Sequence, residues 1–561
     1  MPAELSEKGL SAWLDELPLA NVEVSGQSLL TLLRMLNQIE SFASGEHLGL
    51  LERLRATVYM LADRAIEMHL RGDVTFPLPR VTRRSAGLGY LLCREFGRAY
   101  LRVASGKSFY SERALDKAAR QRCLYRALEA YGEMQLKYQA IYLPVPHGYW
   151  REVYGLYAAA EQRGWHAEKI AGVKGERSGD TILAVFKHIL LFSLAHCQRY
   201  RPLEIRQIHE VTGRFAHLAE LNAEPRRADE SAAFSLDLGG DEPPRPIQAG
   251  PKGDDAKFRF LLTRTLVRQA LAYYGEAESR RWSGIRMRRT MLKRLIQSLA
   301  APERRKSSRL PSREERTLTL GLENLALAMT GDDRGPVKSA PKRATSVVQV
   351  RGVTLLDVPD YTLQLTDRDE RDQDRRDMRS ETSIGQRWRG EQSKVRQDDI
   401  WTDRGLALSP GRNPAIPLAW TVNASAHGYC LCWVSKELSC VRVDELIGVP
   451  DEDGNLNVGV VRWLSHDSED NLLLGVELLS PASTPVAISV SGSFEDERHG
   501  LLLPVNKRLG ASSSLITPPA SFQLGQIVRL ETAGHSRNCR LERLIESNFS
   551  FSHFGVVGVE G

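Results

Sequence analysis

At 561 residues the chain is long enough for about three or four domains of ordinary size. Its composition, 42% hydrophobic and 26% charged, is that of a soluble globular protein, and no uncharged apolar run is long enough to span a membrane. A net charge of +6 is small for this length and does not by itself argue for nucleic acid, so only the distribution of the basic residues matters. The first residues lack a basic region followed by an apolar core, so no signal peptide is expected. The seven cysteines are scattered and odd in number, which gives no disulfide framework and suits free thiols in a reducing cytoplasm.

From about Gly26 to Leu299 the hydrophobic period is helical. Leu51, Leu54, Val58 and Leu61 recur on one helix face. Further helices are expected from Arg84 past Leu101, from Glu112 through Met134, and over Ile182 to Cys197, which is apolar almost all round. Trp150, Val153, Tyr154 and Tyr157 form an aromatic stripe similar to that of tetratricopeptide helices, without a second copy at fixed period. Core packing explains these residues and the apolar-face cysteines Cys93, Cys123 and Cys197. Residues 1–221 therefore read as an all-α domain. Residues 222–257 are rich in Gly, Pro and Asp and read as a linker or loop.

Residues 258–301 read as helices completing the helical part, the first over Phe258 to Tyr274 and the second from about Trp282 to Leu299. The second carries Arg286, Arg288, Arg289, Lys293 and Arg294 on its outer face, either a solvated surface or an anion-attracting one. Pro302 ends that helix and opens a basic hinge, 302–316. Arg305 and Arg309 are spaced to close two guanidinium forks on one anionic ligand, and Arg309 with Arg313 has the same spacing. Residues 330–413 are poorly patterned and densely mixed in charge, and read as a mobile insertion. Within it Val347–Val350 and Tyr361–Leu365 offer short strands, and Arg371, Arg375 and Arg379 repeat the arginine spacing as decoys.

The β-rich end opens with Leu418 to Val434, a strand, a polar corner and a second strand. The corner holds Asn423, Ser425 and Gly428, short polar side chains followed by a residue that tolerates a tight turn. Strands at Val441–Val449, Asn457–Leu464 and Leu472–Leu479 follow with turn signals between them, the pattern of a small antiparallel barrel. More strands are expected at Leu501–Pro504, Ser514–Ile516, Gln526–Leu530 and Asn538–Leu541, with Phe549, Phe551 and Phe554 pairing into the last sheet. Cys430 and Cys432 share a strand face without a second pair at metal spacing, which indicates packing. No phosphate-binding loop, nucleophile elbow or metal-ligand cluster is present, so an enzyme is not expected, and no metal or cofactor either. His427 lies in the polar turn without an evident carboxylate partner and reads as a rim residue.

Arg305 and Arg309, then Asn423, Ser425 and Gly428, then Val458–Trp463 and Gly475–Leu479, in this order, resemble a PilZ domain. That family's pattern is R-x-x-x-R followed by [DN]-x-S-x-x-G on a six-stranded antiparallel barrel. The resemblance covers about 304–485 and implies a receptor for the bacterial second messenger cyclic di-GMP. It implies that Arg305 and Arg309 clamp guanine edges and phosphates, that Asn423 and Ser425 contact a guanine and the phosphate-side backbone, and that Gly428 permits the turn, with Arg304 and Arg313 as additional candidates. The distance to the Thr317 strand favours Arg305 with Arg309 over Arg309 with Arg313. Two departures stand out: a long insertion separates the motifs, and Asn423 occupies a position more often Asp. Helices first and a barrel last also resemble large proteobacterial PilZ proteins.

The expected architecture is thus multidomain α + β: an all-α N-terminal half, a PilZ-like six-stranded antiparallel β-barrel over 317–329 and 414–490, and a C-terminal β-rich unit over 491–561. The expected function is a cytoplasmic cyclic di-GMP receptor in which ligand at hinge and barrel reorients the helical domain toward a protein partner. The rival readings are a nucleic-acid binder through the basic helix and hinge, which the modest net charge disfavours, and a scaffold with a degenerate barrel.

Overall fold

The computed structural model describes residues 6–39, 44–70, 74–106, 109–111, 113, 115–170, 180–223, 232–247, 257–275, 287–300, 310–330, 417–435, 438–490, 498–505, 513–532 and 535–559. Eight α-helices occupy its first part: Glu7–Asp15, Val22–Gln38, Ser44–Leu70, Arg80–Ala104, Lys117–Gln139, Tyr149–Glu161, Ile182–Leu194 and Pro202–Arg214. Short polar side chains start several of them. The carboxamide of Asn21, the carboxylate of Asp116 and the hydroxyl of Thr181 accept hydrogen bonds from Val24, Ala119 and Ala184 N–H. The aromatic stripe is core: the Tyr157 ring stacks on Phe186 at 3.9 Å, and Tyr154 meets Phe186 edge-on.

The segment 222–257 is more than a linker. Ala233–Asp237 and Arg245–Pro246 are strands, and the expected helix at Phe258 begins instead as a strand, Phe258–Leu262. Phe258–Leu262 lies centrally in a four-stranded sheet, between Glu220–Asn222 and Ala233–Asp237. A short apolar run fits either period, and here long-range pairing decides. Thr263 then breaks the strand, bonding Ala232 and Leu299 carbonyls through its hydroxyl, and the helix starts at Arg264. The Gly/Pro turn between the first two strands is anchored too. Asp241 accepts from Gly148 and Arg151 N–H at the start of the Tyr149–Glu161 helix.

The second expected helix is described over Arg289–Ala300. The insertion, with its candidate strands and decoy arginines, lies outside the described residues apart from Thr330, which ends a helix, Leu322–Thr330.

The PilZ-like sheet contains eight strands, three of them short pieces of one run, 310–320. Leu310–Pro311 and Glu315–Thr317 pair with Leu418–Ser425, whereas Thr319–Leu320 pairs with Leu446–Pro450 at the opposite edge. One run of chain thus joins both edges, and the sheet becomes six runs wrapped into a barrel. Between the edges the order is Leu418–Ser425, Gly428–Trp433, Leu472–Ser480, Leu456–His466 and Leu446–Pro450.

Residues 484–558 form a second, closed six-stranded barrel. Its first strand, Thr484–Val490, had been expected in the PilZ unit, but it pairs with Arg498–Leu503 and Ile527–Thr532. Numbered within each barrel, the strands of both run 1-2-3-6-5-4 around the ring. The C-terminal barrel therefore repeats the PilZ connectivity. Of the three tail phenylalanines, Phe554 fills this barrel's interior, Phe551 lies between the barrels, and Phe549 stands under the Arg201 and Arg288 guanidinium groups.

The helical half and the PilZ barrel share one apolar core, in which Phe76 and Tyr142 join Val441, Val443 and Ile447. Phe76 and Val441 exchange backbone hydrogen bonds of 2.7 and 3.0 Å. The two barrels meet through a separate cluster, Leu446, Val458 and Val460 against Leu501, Leu503, Ile516 and the Leu322–Thr330 helix.

Burial holds the His47 imidazole down to about 4, with Arg102 adding to the effect, and burial likewise lowers His553 to about 4. Unfolded, each would protonate near 6.5. Their contribution to stability is complete above that pH and is lost as pH falls toward 4. The loss amounts to on the order of 3 kcal/mol for each histidine. Urea midpoints at pH 7.5 and pH 4.5 should therefore differ clearly, and His553→Gln should reduce the difference.

Candidate functional site

Strand Leu418–Ser425 turns into Gly428–Trp433 through a two-residue corner, Ala426–His427, with Asn423 opposite Cys430 and Ser425 opposite Gly428. The Ser425 hydroxyl closes the corner, donating to the Gly428 carbonyl at 3.3 Å and accepting from His427 N–H at 3.4 Å. His427 is exposed on the turn, and its carbonyl accepts from Leu478 N–H. Gly428 sits where three strands crowd together. A Cβ there would lie 1.9 Å from the Val476 carbonyl oxygen.

Register separates the two faces of this sheet. Thr421, Leu431, Leu474 and Leu464 form one cross-strand row, and all are buried in the core. Bulges between Thr421 and Asn423 and between Val461 and Trp463 bring a second row onto the outer face: Asn423, Cys430, Gly475, Trp463. The neighbouring outer row is Ser425, Gly428, Glu477, Val460. The half-buried Trp463 indole lies across Gly475, where a Cβ would come within 1.9 Å of Nε1. The outer face is therefore a shallow tray. Gly428 leaves part of its floor without a side chain, the Trp463 indole covers Gly475, Asn423 and Ser425 line one side, and Glu477 lines the other. In sequence Trp463 and Glu477 looked like ordinary strand residues. Only the bulge and the strand order bring them opposite the motif.

Arg304, Arg305 and Arg309 lie outside the described residues. The chain that follows them enters the sheet beside the motif: Leu310 pairs with Ala424 and Pro311 with Asn423. Arg313 is exposed, at the break between two strand pieces, beyond the motif corner. Arg316 turns to the Thr421 hydroxyl, the Pro450 carbonyl and Glu314.

Behind the tray a charged junction ties the three parts of the chain together. Arg462, in the bulge, forks onto Glu546 of the C-terminal barrel at 2.7 and 2.8 Å and bonds Glu477 at 2.6 Å. Arg294 of the helical part bonds Asp444 of the PilZ unit at 2.5 and 3.1 Å and the Arg199 carbonyl at 2.8 Å. Arg201 reaches the Val443 carbonyl and the Ser550 hydroxyl. Burial alone would raise the Glu546 carboxyl, but the Arg462 hydrogen bonds and charge outweigh it and hold it at about 2.

The basic helix face is solvated in part, as expected, since Arg288, Arg289 and Lys293 are exposed, but Arg294 is turned inward. Arg294 is spent on Asp444, Arg288 covers Phe549 and Arg289 covers Tyr274. Among the described residues no group of three or more His, Cys, Asp or Glu side chains is arranged to hold a metal ion, and no helix is long and apolar enough to cross a membrane.

Three family models match consecutive stretches of the chain. They are described as the N-terminal domain of cyclic-di-GMP receptor FimW over residues 8–226, its middle PilZ domain over 233–485, and the FimW C-terminal beta-barrel domain over 486–557. A curated relative, the cyclic-di-GMP receptor FimW of Pseudomonas aeruginosa, is 25% identical over 572 aligned positions that cover 98% of this chain and 90% of the relative. No solved structure matches. A helical region, a PilZ sheet with its motif corner and a closed C-terminal barrel occur here in the matched order, and the chain belongs to the family of PilZ-domain cyclic di-GMP receptors.

Proposed function

We propose that this protein is a cytoplasmic receptor that binds cyclic di-GMP on the outer face of the PilZ barrel, between Arg305 and Arg309 on one side and Asn423, Ser425 and Gly428 on the other. The observation that carries this reading is the pairing of Leu310–Pro311 with Ala424–Asn423. Arg309 is the residue before Leu310, so the chain reaches the motif corner directly after it, which supports this reading. It favours Arg305 with Arg309 as the ligand pair, since Arg313 enters the sheet past the corner. Guanidinium forks suit the acceptor edge of guanine and the phosphates, and Gly428 lets the ligand approach the backbone at the corner.

Ligand would hold the basic hinge, 302–316, against the barrel through the differential contacts the nucleotide makes. The core shared by helices and barrel weighs against rotation of one on the other, because such a rotation would open buried apolar surface at Phe76 and Val441. The change is therefore read at the surface around the 302–316 segment, where a protein partner of the helical domain would sense it. The loss of Arg294 to Asp444 thins the basic face of the Arg289–Ala300 helix and counts against the nucleic-acid alternative.

Isothermal titration of cyclic di-GMP into the full chain tests the reading. Micromolar or tighter binding is expected, with at least a tenfold loss in Asn423→Ala and no measurable binding in Arg305→Ala/Arg309→Ala. Absence of binding by the wild-type chain would establish the scaffold reading with a degenerate barrel.

A further inference from the structure

The PilZ motif has Asn423 where a carboxylate would hold guanine donors more firmly, and the fold places a carboxylate on the same face from another strand. Glu477 lies directly opposite Gly428 in the row that begins with Ser425. Gly428 carries no side chain, so nothing in that row stands between the Ser425 hydroxyl and the Glu477 carboxylate. The Glu477 side chain is 53% exposed. One of its oxygens, Oε2, accepts from Arg462 Nε at 2.6 Å. Arg462 is itself fixed by its fork onto Glu546. Arg462 and, through it, Glu546 thus fix one oxygen of a carboxylate that is otherwise half exposed.

Resting on the cyclic di-GMP reading above, we infer that Glu477 is a specificity-determining residue that accepts hydrogen bonds from the donor edge of one guanine of the ligand, its N1–H and exocyclic amino group. An ionised carboxylate offers acceptors only, which matches two adjacent donors. Adenine presents an acceptor at N1 beside its amino group, and a carboxylate placed there faces a lone pair. Glu477 therefore selects guanine over adenine and supplies the negative charge that Asn423 lacks. The C-terminal barrel takes part indirectly, since Glu546 holds Arg462 and Arg462 holds Glu477.

The experiment titrates cyclic di-GMP and cyclic di-AMP into the full wild-type chain and into Glu477→Gln. Glutamine keeps the size and one acceptor but turns an amino group toward the base, a pattern that suits adenine. The variant should bind cyclic di-GMP about 10- to 100-fold more weakly, the usual worth of one bidentate base contact, and cyclic di-AMP no more weakly than wild type. The ratio of the two affinities is the decisive readout. A role in folding or in holding Arg462 alone would weaken both nucleotides alike and leave the ratio unchanged, which would overturn the inference. Wild-type binding of neither nucleotide would instead sink the receptor reading on which it rests.

Discussion

Replacing Gly428 by alanine is expected to remove cyclic di-GMP binding and to lower stability by on the order of 3 kcal/mol. The cause is space. The added methyl group would meet the Val476 carbonyl at 1.9 Å, and that oxygen belongs to the backbone of the adjoining strand rather than to a side chain that could swing away. Relief requires Gly428–Trp433 to separate from Leu472–Ser480, and the tray is built on that pair of strands. Asn423 and Ser425 would lose their positions opposite Glu477 and Trp463. His427→Ala, one residue away on the exposed turn, is the matched control and should stay within about 0.5 kcal/mol of wild type. Urea unfolding followed by titration distinguishes the two. A Gly428→Ala protein with the wild-type midpoint and affinity would show that the strands part without cost, contrary to this account.

The second large effect is expected at the junction. Arg294→Ala removes the guanidinium that bonds Asp444 and the Arg199 carbonyl, in a site where both charged side chains are about nine-tenths buried. Removing one partner of a buried pair leaves the other desolvated, and the expected cost is roughly 3–5 kcal/mol. Asp444 keeps Arg462 at 3.6 Å, which sets the loss toward the lower end of that range. The shared core should make helices and PilZ barrel unfold as one unit in the wild type. In the variant, calorimetry should show either a lowered single transition or its division into two. An unchanged profile would mean that the apolar core alone couples the domains. Because Arg462 also orients Glu477, a modest fall in ligand affinity should accompany the change.

These effects sort what the chain itself discloses from what it conceals. Helix-period leucines and the Asn423–Gly428 corner are local signals. Spacing and side-chain chemistry act there over a few residues, so they were readable without a fold. The resemblance to PilZ domains rests on the same kind of local pattern. Phe258–Leu262 read as a helix because five residues cannot separate a period of two from one of 3.6, and its partners lie in segments with the texture of a loop. Thr484–Val490 reads as part of the PilZ unit yet belongs to the C-terminal barrel for a related reason, since a strand's membership is decided by its partners and not by its composition.

Length and hydrophobic pattern alone determined a multidomain α + β chain, and the motif residues added its resemblance to PilZ domains. Only the tertiary structure decided which residues share the ligand face. Two bulges and the strand order put Trp463, Gly475 and Glu477 beside Asn423 and Ser425, across gaps in sequence that no local rule spans. It also decided the fate of the basic helix, where Arg288 and Arg294 look alike in the chain, yet Arg288 stays exposed over Phe549 and Arg294 is buried against Asp444. Short-range physics writes elements and corners into the sequence. Faces and partners come from long-range packing, which offsets the entropy of closing those loops only when the whole core forms.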